Sequence, residues 1–191
     1  MATPRQQDLM RLKRMARYLK GRQRLQIHFP WLEDPHFATL VTDSDWANDK
    51  VTRRSNSGGV LLYGRQLIQH WTRVQPCIAL SSGEAELYSA VRGVTNLLGY
   101  YNLLGEMMDR PVRLEHRVDA SACKGAIMRK GAGTMKHLDI KTLWIQEAVA
   151  TKGIKLVKIP RQLNPADSLA SYSSAGTLED HMTMIGAQYM S

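Results

Sequence analysis

The sequence FATLVTDSDWAND (residues 37–49) gives the first clear indication of the fold, because a short apolar run in it is followed directly by acidic residues. Residues Phe37–Thr42 are typical of a buried strand, and Asp43 and Asp45 follow at its end. In an α/β fold, strand ends gather on one side of the sheet, where functional sites form. The pattern predicts a carboxylate at that edge. Residues two apart on a strand share a face, so spacing alone leaves Asp43 and Asp45 as alternatives.

The segments around this stretch predict an α/β fold of one domain. Alternating or short apolar runs predict strands at Gly59–Tyr63, Leu67–Thr72, Cys77–Leu80, Val112–Val118 and Ile154–Ile159, with Gly64 and Arg65 as a hairpin turn. Helical spacing predicts helices at residues 7–20, 81–108, 121–128 and 137–150, and a further one that opens at residues 165–170, before a weakly helical tail. The order of elements is βββ–α–β–α–α–β–α after the first helix. A length of 191 residues suits one domain with a terminal appendage.

Three more carboxylates occupy comparable positions. Glu86 lies in the first turns of the long helix, Asp119 follows a strand, and Asp167 begins a late helix. Spacing does not separate Glu86 from Glu84, which fits a capping box with Ser81. Four carboxylates brought together would repel one another unless a cation neutralised them. Oxygen ligands without histidine or cysteine favour Mg²⁺ or Mn²⁺, and two such ions about 4 Å apart suit phosphoryl transfer.

The basic character of the chain is concentrated at its beginning. The net charge is +9, and residues 1–24 hold eight basic residues against Asp8 alone. Leu9, Leu12 and Leu19 give this segment an apolar face, so it reads as a basic amphipathic helix. A polyanionic partner is indicated, with nucleic acid first and an anionic membrane surface second, while a solvated helix face is the simpler alternative.

Composition excludes several classes of protein. No run approaches 18 consecutive apolar residues, so no membrane-spanning helix is expected. The hydrophobic share of 43% is too high for a disordered chain. Cys77 and Cys123 stand alone, which argues against a disulfide scaffold or a zinc site and favours a reducing compartment.

Several motifs, in order, make the chain recognisable. They are RLKRMARYLKG (11–21), TDSDWAND (42–49), RRSNSGGVLLYG (53–64), HW (70–71), QPCIALSSGEAELYSA (75–90), VDASACKGAI (118–127), KHLDI (136–140) and NPADSLA (164–170). Together they resemble the ribonuclease H domain of copia-type LTR retrotransposon polyproteins, and the first resembles the end of the preceding reverse transcriptase region. The resemblance covers nearly the whole chain.

The resemblance implies a fold, an activity and a site. The fold would be the ribonuclease H-like fold, a five-stranded mixed sheet flanked by helices, and the activity would be cleavage of the RNA strand of RNA–DNA hybrids. The family's four acids match Asp43, Glu86, Asp119 and Asp167. Asp43, Glu86 and Asp119 would hold one Mg²⁺, and Asp43 and Asp167 would share a second, with Mn²⁺ as a substitute. The substrate would be recognised through the 2′-hydroxyls of its RNA and the shape of the hybrid.

Further residues are candidates for contacts with substrate. Ser44 and Asn164 stand beside metal carboxylates and are candidates to contact the ribose or a bound water. The basic helix offers Arg11, Lys13, Arg14 and Arg17. His137 and Asp139 in KHLDI are accessory candidates, although a cap for the following helix is the favoured interpretation of His137. The histidine that precedes the last acid in many cellular ribonucleases H is absent here, where the sequence reads IPRQLNPAD (159–167).

The resemblance also implies an organisation and a setting. Residues 1–34 would be the tail of the reverse transcriptase region and a connector, 35–175 the ribonuclease H-like domain, and 176–191 a C-terminal tail. A reverse transcriptase polymerase domain of the same polyprotein is a candidate partner, and no membrane partner is expected. Cytoplasmic retrotransposon particles or the nucleus are the expected locations, without a secretion signal. A catalytically silent module that binds RNA–DNA hybrids is the alternative function.

Overall fold

The structure, a computed structural model, describes residues 4–33, 35–108, 111–131, 133, 137 and 140–190. None of the helices in these ranges combines the length and the apolar character needed to cross a membrane.

A five-stranded mixed sheet forms the centre of the chain. Its strands lie in the order β4-β3-β2-β5-β6. They are β2 (Phe37–Ser44), β3 (Asn56–Tyr63), β4 (Gln66–Val74), β5 (Arg113–Val118) and β6 (Lys155–Lys158). The first three pair antiparallel, whereas β2, β5 and β6 run parallel. The carboxyl ends of β2 and β5 therefore lie at the same edge of the sheet.

In the antiparallel half of the sheet, a tight turn at Gly64 allows β3 and β4 to pair. Gly64 has a φ of 59°, a left-handed value that glycine adopts without strain, and it connects β3 to β4. Its N–H donates to the carbonyl of Phe37, 2.9 Å away. The hairpin predicted at Gly64 and Arg65 is confirmed.

The predicted strand at Cys77–Leu80 is wrong, because this segment is irregular. Its backbone is held by side chains: the Leu80 N–H donates to Glu84 Oε2 at 2.9 Å, and the Ala79 carbonyl accepts from Trp46 Nε1 at 3.0 Å. Ile78 and Leu80 are both exposed, so the apolar run buries too little to act as a strand.

Helices cover the sheet and complete its core. They are α2 (Ser82–Met107), α3 (Ser121–Met128), α4 (Ile140–Thr151), α5 (Asp167–Ala170) and α6 (Ala175–Met184). Ser81 caps α2 by accepting a hydrogen bond from the Glu84 N–H at 3.2 Å, as the capping box predicts. The main core lies between the sheet and α2, α3 and α4, where burial of apolar side chains supplies the stabilising free energy.

The late helices differ in extent from the prediction. The helix predicted at 137–150 begins at Ile140. The one predicted at 165–170 is a short turn of helix, α5, which follows a 3-10 turn at Arg161–Leu163. Asn164 and Pro165 lie between the two and keep them from joining.

A second, two-stranded sheet joins the beginning and the end of the sequence, and the sequence patterns did not predict it. Strands β1 (Leu25–Ile27) and β7 (Ala187–Tyr189) pair antiparallel. The first helix, α1 (Gln6–Gly21), appears where it was predicted and buries none of its residues. The division of the chain at residues 34 and 175 stays a prediction.

Helix α2 lies close against the sheet at Gly93. A Cβ added there would lie 2.5 Å from Thr42 Cγ2 and 3.0 Å from Leu40 Cδ2, both in β2. The absence of a side chain thus lets α2 lie directly against the strand that carries Asp43.

We expect Gly93→Ala to destabilise the fold by about 1–2 kcal/mol, because overpacking at β2 outweighs the gain in helix propensity. Gly99→Ala is the matched control, since a Cβ at Gly99 meets nothing within 4 Å. That variant should be stabilised by about 0.5–1 kcal/mol. Urea unfolding of both variants measures the difference, and an equal effect of the two substitutions would contradict the close packing at Gly93.

Candidate metal centre

Three of the predicted carboxylates meet at the edge of the sheet. Asp43 ends β2, Asp119 follows the parallel strand β5, and Glu86 faces them from α2. One ligand oxygen from each residue lies within 4.8 Å of the others. Asp43 and Glu86 are only 4% and 7% exposed, so the fold removes their carboxylates from most of the surrounding water.

Neighbouring groups fix the positions of these acids. The Ser44 N–H donates to Glu86 Oε1 at 3.1 Å, which ties the helix carboxylate to the end of β2. The Ser89 hydroxyl donates to the Asp43 carbonyl at 2.7 Å and so binds α2 to the same strand. Among the described residues, Glu86 Oε2 is buried and accepts no hydrogen bond.

The electrostatic cost of this arrangement shows in the pKa values. Burial, together with the charges of Glu86, Asp119 and Asp167, raises the pKa of Asp43 to about 9. Burial and the charge of Asp119 raise the pKa of Glu86 to about 8, against the hydrogen bond from the Ser44 N–H, which lowers it. Both carboxyls therefore favour their protonated forms at neutral pH unless positive charge is supplied.

The donor set fits a hard divalent cation. Three carboxylates converge, one of their oxygens is buried without a partner in the described part of the chain, and both raised pKa values would fall if a cation were bound. The triad could therefore bind a metal ion.

The fourth predicted acid, Asp167, lies at the same cleft but carries its own counter-ion. Arg161 donates to Asp167 Oδ1 through Nη2 at 2.8 Å and through Nε at 3.1 Å. Its guanidinium also faces the charges of Asp43 and Asp119, and with Asp167 they raise the pKa of Arg161 further. Arg161 was not among the predicted site residues. The sequence feature that could have indicated Arg161 is a basic residue six positions before Asp167, in the stretch IPRQLNPAD (159–167), which lacks the histidine of many cellular ribonucleases H.

These residues line a cleft of about 430 Å³, and one of the two substrate candidates that stand beside the carboxylates lines it as well. Ser44 does so, and within the described residues its buried Oγ has no hydrogen-bond partner. Asn164 is instead fully buried behind the cleft. Its amide hydrogen-bonds the Thr42 carbonyl at 3.4 Å and the Ala166 N–H at 3.1 Å, so its side chain supports the backbone that carries Asp167.

The structure separates the alternatives that spacing had left open. Asp45 Oδ1 accepts from the Asn56 N–H at 2.5 Å and closes the loop between β2 and β3, whereas Asp43 joins the cluster. Glu84 points away from the triad and accepts from the Tyr88 hydroxyl and from His137 Nε2, each at 2.9 Å. His137 therefore contacts the start of α2 and does not line the cleft. Asp139 lies outside the described residues.

The four basic candidates of α1 are all exposed and none lines the metal cleft. Arg11 lines a neighbouring groove, whereas Lys13, Arg14 and Arg17 do not.

Comparisons with known proteins agree with this geometry. No protein-family model matches the chain. The Retrovirus-related Pol polyprotein from transposon TNT 1-94 of Nicotiana tabacum is 27% identical over 148 residues, which cover 76% of this chain and 11% of that protein. The Retrovirus-related Pol polyprotein from transposon RE1 of Arabidopsis thaliana is 27% identical over 193 residues, which cover 97% of this chain and 13% of that protein. The chain thus spans about a tenth of the length of these relatives.

Solved structures show the same architecture. LC11-RNase H1, isolated from compost by a metagenomic approach, aligns with a TM-score of 0.53 and 17% identity over 70% of this chain and 92% of that chain. RNase H1 from the halophilic archaeon Halobacterium salinarum aligns with a TM-score of 0.51 and 14% identity over 70% and 93%. At these identities the likeness establishes the fold. The resemblance indicated by the motifs is confirmed: the chain has the ribonuclease H fold and is similar in sequence to copia-type Pol polyproteins of plant retrotransposons.

Proposed function

We propose that this chain is an endoribonuclease that hydrolyses the RNA strand of RNA–DNA hybrids with two Mg²⁺ ions. The observation that carries the proposal is the convergence of Asp43, Glu86 and Asp119 within 4.8 Å at the carboxyl edge of a ribonuclease H-type sheet. Buried like charges at this distance are costly without a cation, so the cluster is better explained by a metal function than by a structural one.

The carboxylates would divide the cations between them. Asp43, Glu86 and Asp119 would hold the first ion, and Asp43 with Asp167 would hold the second. Bound there, the ions would supply Lewis-acid activation of water and charge stabilisation at the scissile phosphate. The Ser44 N–H keeps Glu86 directed into the site, and the Ser89 hydroxyl holds the backbone of Asp43 in place.

Other residues of the cleft suit a phosphodiester substrate. The guanidinium of Arg161 is largely exposed while it pairs with Asp167, so it can present its remaining N–H groups to a phosphate oxygen. Ser44 Oγ, unpartnered among the described residues, can hydrogen-bond a ribose 2′-hydroxyl, which DNA lacks. The Ser44 contact would favour an RNA strand in the cleft, whereas Arg161 would bind the phosphate of either nucleic acid.

The related polyproteins indicate a setting for this reaction. A polymerase domain of the same polyprotein would supply hybrids to the cleft, either in a cytoplasmic retrotransposon particle or in the nucleus.

One observation favours a second candidate, a hybrid-binding module without catalysis. Arg161 occupies Asp167 Oδ1, so a cation already sits at the carboxylate that the second metal ion would use. In that case the triad would bind one ion without turnover.

We expect the chain to cleave a labelled RNA–DNA hybrid with Mg²⁺ or Mn²⁺, and Asp43→Asn and Asp119→Asn to lower the rate at least about 100-fold, because each removes a charged ligand. Duplex RNA and duplex DNA serve as substrate controls. Asp180→Asn is the matched protein control, since it removes an exposed carboxylate of α6.

Hybrid binding without cleavage in either metal would contradict the enzymatic proposal and support the silent module. Arg161→Gln then tests the reason. If the ion pair blocks the second metal ion, this substitution should increase the number of Mn²⁺ ions bound per chain in equilibrium dialysis.

The raised pKa of Asp43 makes the stability of the metal-free protein depend on pH. A folded-state pKa of about 9, above the usual value near 4, means that Asp43 costs nothing below about pH 4 and destabilises the fold increasingly as the pH rises towards 9. Asp43→Asn removes this cost. In EDTA, the stability advantage of Asp43→Asn over the wild type should grow by about 1–3 kcal/mol between pH 5 and pH 8.

Urea unfolding at the two pH values measures this change, with Asp180→Asn as the control for the loss of one charge. Saturating Mg²⁺ should abolish the advantage at pH 8, because the cation then stabilises the ionised carboxylate. An advantage that is constant from pH 5 to pH 8 would show that the Asp43 carboxyl is not strained by burial and repulsion.

A further inference from the structure

A second depression lies beside the metal cleft and shares a lining residue with it. This groove, which we call the α1 groove, has a volume of about 1040 Å³. Ser171 lines both the groove and the metal cleft, four residues after Asp167. Whatever strand occupies the cleft can therefore continue into the groove without leaving the surface.

Three parts of the chain supply most of the residues that line the α1 groove, together with Asn56 of β3 and Val74 of β4. The first part is the start of α1, with Arg11 in the helix and Arg5 directly before it, and the second is the loop between β2 and β3, with Lys50. The third is the segment 168–172, directly after Asp167.

The three cations of this groove are exposed, although Arg11 also pairs with Asp8, and the two acids of the groove are already engaged. Asp8 accepts from the Arg5 N–H at 3.0 Å at the start of α1 and lies 3.7 Å from the Arg11 guanidinium. Asp49 accepts from the N–H groups of Val51 and Thr52 and from the Thr52 hydroxyl, at 2.8, 3.2 and 2.7 Å. The Asp49 carboxylate thus closes a turn, while the groups of Arg5, Arg11 and Lys50 remain in solvent.

An exposed aromatic ring completes the groove. Tyr172 is 93% exposed, although Asp167 and Ala170 shortly before it are buried. A ring held beside cations is a common surface for the sugars and bases of nucleic acid, because it adds apolar contact to phosphate binding.

The position of α1 is fixed at its far end. Tyr18 hydrogen-bonds Tyr189 at 2.5 Å, and their rings meet edge to face. Arg22 pairs with Glu179 and lies over the Tyr189 ring. These contacts hold the end of α1 against β7 and α6, so the first half of the helix keeps its position beside the groove.

We propose that the α1 groove binds the sugar–phosphate backbone of the hybrid where it extends beyond the metal cleft, with Arg5, Arg11 and Lys50 on phosphates and Tyr172 on a sugar. This inference rests on the proposed function, because it takes the hybrid as the substrate. It assigns nucleic-acid contact to one face of α1. Lys20 lies nine residues after Arg11, about half a turn round the helix, and therefore faces away from the groove.

The test is hybrid binding by fluorescence anisotropy in the Asp43→Asn background, which prevents cleavage. Arg5→Gln with Arg11→Gln should weaken binding about 5- to 20-fold at ~0.1 M salt and lower the slope of log Kd against log salt by about 1.5, since two phosphate contacts are lost. Tyr172→Ala should weaken binding with little change in that slope.

The matched control is Lys20→Gln with Lys152→Gln, which removes the same charge outside the groove. Lys152 precedes β6 and so lies at the sheet edge opposite the acids. Equal losses for the two double variants would overturn the α1 groove, because they would show a general charge effect. Cleavage by the wild-type chain is assayed in parallel. If the wild type cleaves the hybrid and the two double variants lose binding equally, only this inference is contradicted. If the chain neither cleaves nor binds the hybrid, the proposed function is contradicted as well.

Discussion

The mutual repulsion of buried carboxylates is the constraint on which the rest of this structure depends. Asp43 and Glu86 are almost fully enclosed, and their charges lie close to that of Asp119. An isolated cluster of this kind would spread apart or leave the protein interior. Here the apolar contacts of α2, α3 and α4 with the sheet hold the carboxylates together. The free energy of hydrophobic burial thus offsets the repulsion between them and keeps them close enough to bind one cation.

The strands beneath the acids are joined without adding charge. Thr42 and His116 hydrogen-bond across the parallel pair β2 and β5 at 2.8 Å, directly below Asp43. Complete burial lowers the pKa of His116 to about 3, so the ring stays uncharged at neutral pH. The His116 ring therefore supplies no positive charge to the triad, whereas the guanidinium of Arg161 faces the triad from the cleft.

Most of the architecture could be predicted from local pattern, because strand and helix periodicities and the Ser81 cap depend on neighbouring residues. The choice of Asp43 over Asp45, and of Glu86 over Glu84, needed the motifs, since each pair shares a periodicity.

Contacts between distant residues were not predictable. The pairing of β1 with β7 joins two three-residue strands that carry no clear alternation, and the short apolar run at Cys77–Leu80 gave a false strand because nothing in it showed that Ile78 and Leu80 face solvent. The sequence shows an arginine at position 161, but only the structure shows that its guanidinium hydrogen-bonds the Asp167 carboxylate.

The β1–β7 sheet also has a consequence for the order in which the chain folds. Leu25 pairs with Tyr189, so the first strand emerges from the ribosome long before its partner exists. The contacts of β2, β3 and β4 are local by comparison and close through short loops, which form faster than pairings between distant segments. The mixed sheet can therefore be assembled while β1 and α1 are still without a partner. Once β7 has been synthesised, its pairing with β1 seats α1 beside the cleft, so the α1 groove forms after the mixed sheet.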